Sequence, residues 1–105
     1  MEGTIRKCTD GTAQYILEFD HPINLVISRK DGTEIEKNGL TQAKITVDQA
    51  YSYQGEGEDA VRLCWPLNKL VGIYVIIATD DLDGLKFDGN AVMLNDFWLW
   101  LPIVG

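Results

Sequence analysis

Leu25-Val26-Ile27-Ser28-Arg29-Lys30-Asp31-Gly32-Thr33-Glu34-Ile35-Glu36-Lys37-Asn38-Gly39 contains the alternating Leu25 and Ile27 and then the run Thr33 to Lys37, each followed by a turn pair, Asp31-Gly32 and Asn38-Gly39. Such pairs supply the positive φ that tight hairpins need, so the stretch reads as β-hairpins and not as helix. Its register can be tested on the sequence itself. With two-residue loops, Glu34 and Glu36 share a face with Leu25, Ile27, Ile45 and Val47, and two carboxylates are buried. With three-residue loops, Lys30-Asp31-Gly32 and Lys37-Asn38-Gly39, the faces separate. Leu25, Ile27, Ile35, Ala43, Ile45 and Val47 then point one way, and Ser28, Glu34, Glu36, Gln42 and Lys44 the other. Because a one-residue slip flips every side chain, the apolar pattern selects the three-residue loops.

The same punctuation recurs outward along the chain, at 10–11, 83–84 and 88–89. Ala13, Tyr15, Leu17 and Phe19 alternate with Gln14, Ile16 and Glu18, and Asp20-His21-Pro22 reads as a turn after them. Val61, Leu63 and Trp65 alternate with Arg62 and Cys64 until Pro66. Leu70 to Ala78 is continuously apolar, as expected of a central strand covered on both faces. Thr79 to Asn90 is a polar connection with Leu85-Lys86-Phe87 as a short strand inside it, and Ala91–Leu94 and Phe97–Leu101 close the chain. The expected fold is mainly β: one domain over 1–105, a small antiparallel meander closed into a barrel or sandwich of about seven to nine short strands. The alternative is α+β with one helix near 41–53 or 56–65; Ile45-Thr46-Val47, β-branched in succession, counts against the first of these.

Composition narrows the function classes. An apolar fraction of 46% suits a packed globule and not a disordered chain. The net charge of −7 repels phosphates and anionic lipid, so no nucleic-acid or membrane partner is expected, while a basic partner protein is permitted. No stretch has the length of a transmembrane helix, and no export signal is apparent at Met1-Glu2-Gly3-Thr4, so a cytoplasmic location is expected. In that compartment Cys8 and Cys64 are expected as free thiols.

No catalytic or metal signature stands out, and no cofactor is expected. Thr79-Asp80-Asp81-Leu82-Asp83-Gly84 has the acidic spacing of a calcium-loop start, but Asn90 stands where a bidentate glutamate belongs and Lys86 where an apolar residue does. It reads as a solvated turn. His21, beside Asp20, has no nucleophile motif to serve and reads as part of a turn.

Phe97-Trp98-Leu99-Trp100-Leu101 is the most informative segment. As a strand it places Phe97, Leu99 and Leu101 on one face and Trp98 and Trp100 on the other, so both faces are apolar. Three readings follow: an interior strand, a subunit interface, or an aromatic ligand wall to which Trp65, Tyr51 and Tyr53 also contribute. The functional expectation is a non-catalytic interaction module, a homo-oligomer joined through this aromatic strand. An acidic inhibitor of a basic partner and a small ligand-binding barrel or enzyme are the alternatives.

Overall fold

The computed structural model describes residues 1–55, 57–80 and 85–100. Among the described residues there are nine strands: β1 (Glu2–Lys7), β2 (Tyr15–Ser28), β3 (Glu34–Ile45), β4 (Gln49–Gln54), β5 (Val61–Pro66), β6 (Tyr74–Ala78), β7 (Lys86–Asp88), β8 (Ala91–Leu94) and β9 (Trp98–Trp100). They form one sheet in the order β5-β4-β9-β6-β1-β2-β3-β8-β7, with β5 and β7 at its ends. The mainly β reading holds. The segments weighed as helix, 41–53 and 56–65, are occupied by β3, β4 and β5, and the described helical residues are single 3-10 turns at Gly57–Asp59 and Leu67–Lys69. No helix among the described residues is long and apolar enough to cross a membrane.

Two features depart from a simple meander. β8 pairs with β3 and β9 with β4 in parallel, and β9 is inserted between β4 and β6. A strand as apolar as β9 gains most where both backbone edges are paired and one face is buried, which the sheet interior offers.

The hairpin Lys30-Asp31-Gly32 forms as the pattern requires. Ile27 pairs with Ile35 and Ser28 with Glu34. The Arg29 N–H donates to Thr33 C=O at 2.8 Å and the Gly32 N–H to Arg29 C=O at 3.0 Å, with Gly32 at φ +87°. Asn38-Gly39, however, closes no second hairpin. β3 runs straight through it, and β2 likewise runs through Asp20-His21-Pro22. Here the ladder slips, from Glu18↔Gln42 to Ile23↔Leu40 to Leu25↔Lys37. Residues 19–22 of β2 oppose Thr41 alone, then 38–39 of β3 oppose Asn24, whose Oδ1 accepts the Gly39 N–H at 3.0 Å. Both turn signals are spent on bulges that bend one long ribbon.

The sheet must bend because it buries a single face. Ile5, Leu17, Ala43, Ile45, Val75, Ile77, Leu94 and Leu99 are at most 2% exposed, and each neighbouring pair in register lies on the same side. No described helix covers them. The Cα atoms span 38 × 34 × 22 Å, and the last figure far exceeds a flat pleated sheet, so the sheet curls and covers its own apolar face. Leu70–Ala78 is correspondingly not covered on both sides. Val75 and Ile77 point inward, whereas Ile73, Tyr74 and Ile76 are exposed.

Close strand approach is set at Gly3, where β1 pairs with both β2 and β6. An added Cβ would lie 2.1 Å from the Glu18 carbonyl oxygen. At the other end of the sheet, Lys44 departs from the solvated position its pattern suggested. Its side chain is only 7% exposed, and Nζ reaches Asp88 at 3.2 Å and Asp10 at 3.6 Å. The loop before β2 is thereby tied to β7. Asp10 also accepts from the Cys8 thiol, the Thr12 hydroxyl and the Thr12 N–H, and these bonds hold its carboxyl well below the usual carboxylate range. The bond to Asp88 raises the Lys44 ammonium above its ordinary value against the opposing effect of burial.

Gly3→Ala is expected to lower unfolding stability by about 1–3 kcal/mol, because backbone and not a flexible side chain must move; urea denaturation measures it. A depressed carboxylate contributes its full stability above the unfolded value of about 3.9 and loses it as the pH falls. Asp10→Asn should therefore lower stability at pH 7 and flatten the decline in urea midpoint between about pH 4 and pH 2.

Candidate functional site

Sheet parity sorts the aromatic residues singled out by the sequence into two sets. Phe97 and Leu99 point inward and are buried at 7% and 2%. Trp65 also points inward, paired with Ala50, and its indole N–H donates to Ser52 Oγ at 2.7 Å. These three belong to the core and its margin. Leu101 lies outside the described residues.

Tyr51, Tyr53, Trp98 and Trp100 point the other way. Tyr51 is opposite Trp98 in the parallel β4–β9 pair, which puts Tyr53 next to Trp100. Across the antiparallel β9–β6 pair, Trp100 is opposite Ile76 and Trp98 opposite Ala78. Tyr74, two residues before Ile76, continues the same face, as do Arg62 and Cys64 of β5, opposite Tyr53 and Tyr51. One outward surface thus runs over β5, β4, β9 and β6, with Trp100 61% and Tyr53 58% exposed. Arg62 is stacked on the Tyr51 ring, its guanidinium 4.6 Å from the ring centroid.

Tyr74, Ile76 and Arg62 were not marked by the sequence. In Leu70–Ala78 both parities are apolar, so nothing distinguishes the outward set from the core set. Arg62 shows its role only through the β4–β5 register.

Polar groups border this surface. The Tyr74 hydroxyl donates to the Glu2 carboxylate, with Asp20 nearby, and the bond to Glu2 together with partial burial and both negative charges pushes Tyr74 up to about 12. A cleft of about 340 Å³ beside Tyr51 is lined by Asp48, Gln49, Asn95 and Asp96. An apolar groove of about 470 Å³ is lined by Trp98 and Trp100 together with Leu25, Val26, Ile76 and Leu85. Both open to solvent.

No group of His, Cys, Asp and Glu among the described residues is arranged to hold a metal ion. His21 is exposed in the bulge of β2. Cys8 and Cys64 are free thiols, donating to Asp10 and to Gln49. Asp81–Gly84 of the acidic turn lie outside the described residues.

The raised Tyr74 value has a direct readout. An absorbance titration should show a tyrosine ionising near pH 12, and Tyr74→Phe should remove that step.

Comparison of the chain with protein-family models, with curated proteins and with solved structures returned no match.

Proposed function

We propose that this chain is a non-catalytic interaction module that self-associates through the outward face of β4, β9 and β6. The observation that carries the reading is Trp100. It sits on an interior strand, beside Tyr53 and opposite Ile76, yet remains 61% exposed. An interior strand has inward positions available for its largest side chain, and here the inward position is taken by Leu99. A row of large apolar and aromatic groups facing water on three adjacent strands is unfavourable in an isolated chain and favourable once covered.

A second copy is an occupant that suits the surface. Trp100 and Val26, 61% and 62% exposed, stand at the rim of the apolar groove, so the same region presents both projections and a recess. A two-fold contact needs such self-complementarity. Tryptophan seated in a partner's recess is the side chain most often found to dominate such contacts.

Sedimentation velocity over a concentration series should show association of the wild-type chain. Trp100→Ser should weaken it by at least about tenfold, or about 1.4 kcal/mol, with the urea midpoint little changed because the side chain is exposed. A strictly monomeric wild-type chain would remove the proposal.

A further inference from the structure

The two ends of the sheet are unlike. β7 is three residues long, Lys86-Phe87-Asp88, and its charges discourage further pairing. β5 is six residues long, Val61-Arg62-Leu63-Cys64-Trp65-Pro66, with Val61 56% and Leu63 37% exposed. It has none of the usual protections of an edge along 61–65 apart from Arg62.

The register identifies which backbone groups are free. The Leu67 N–H donates to Asp48 C=O at 2.9 Å, continuing the ladder of Gln49↔Pro66 and Ala50↔Trp65. Bonded and non-bonded pairs alternate in an antiparallel ladder. The bonds to β4 are therefore made at Trp65, Leu63 and Val61, and the N–H and C=O of Arg62 and Cys64 point away from the sheet.

We propose that β5 pairs antiparallel with β5 of a second copy across a two-fold axis through Leu63, independently of the aromatic face. In this register Arg62 is opposite Cys64 of the partner subunit, and all four outward groups of each copy are bonded. Leu63 meets the partner's Leu63 as a close non-bonded pair, and Val61 meets the partner's Trp65. The neighbouring registers are worse for stated reasons. Centring on Arg62 opposes two like charges. Centring on Cys64 opposes Arg62 to the partner's Pro66, which has no N–H to give.

Charge favours the same occupant. The chain carries −7 overall, yet residues 60–79 contain no carboxylate, only Arg62 and Lys69. Two copies can meet at β5 without bringing acidic side chains of that stretch together.

Position-specific cross-linking tests the geometry. With Cys8 and Cys64 replaced by serine, Leu63→Cys should form a disulfide-linked dimer in a glutathione redox buffer, because close antiparallel pairs lie within disulfide reach. Val61→Cys should not, since that residue is opposite the partner's Trp65. Equal cross-linking at both positions, or none at Leu63→Cys, overturns the proposal. Adding Trp100→Ser separates the two contacts: the Leu63→Cys dimer persists if the edge acts by itself, and its loss overturns that independence. In the Trp100→Ser background, Cys64→Pro removes an outward N–H while leaving the bonds to β4, so it should fold and abolish edge pairing; unchanged dimer mass in that double variant also overturns the proposal.

Discussion

One constraint governs the molecule: a single sheet without described helices has to hide its apolar face with its own strands. Ile5, Leu17, Val75, Ile77 and Leu99 all lie on that face and are buried. A flat sheet would leave them in water, at roughly 1.5–3 kcal/mol for each large side chain. Curling is therefore imposed, and the irregular features of the chain serve it. Gly3 lets β1 pass close to the Glu18 carbonyl. The bulges at 19–22 and 38–39 bend the β2–β3 ribbon, and the Asp10–Lys44–Asp88 link holds the loop before β2 against β7.

A sheet that shields one face from within leaves the other to its surroundings. On β1, β2 and β3 the outward residues are largely polar or charged, among them Thr4, Glu18 and Gln42. On β4, β9 and β6 they include Tyr51, Tyr53, Trp98, Trp100, Tyr74 and Ile76, beside Gln49 and Ala78. The contrast lies between parts of one face, under one curvature and one solvent. The fold needs those aromatic side chains less than it needs Leu99, which is why the outward set is where the functional reading rests.

Local pattern was legible where the two faces of a strand differ in polarity. The Lys30-Asp31-Gly32 loop and the separation of Ile27 and Ile35 from Glu34 and Glu36 follow from alternation and turn chemistry, and the structure keeps both. Legibility failed where a signal has two uses. Asn38-Gly39 and Asp20-His21-Pro22 serve a bulge as well as a turn, and only the partner strand decides between them. It failed again in Leu70–Ala78, where apolar residues at both parities conceal which side faces the core.

The sequence by itself determined the strand character, the excess of acid, and the two-sided apolar pattern around Trp98–Trp100, because composition and a period of two are local properties. Tertiary structure decided the rest. Strand order inserted β9 between β4 and β6, and that neighbourhood sent Phe97 and Leu99 into the core and gathered Trp98 and Trp100 with Tyr51 and Tyr53. Among the described residues it also left β5 paired on one side only, with β4, at one end of the sheet. Which residues share a face across strands depends on pairings between distant parts of the chain, and no local pattern contains them.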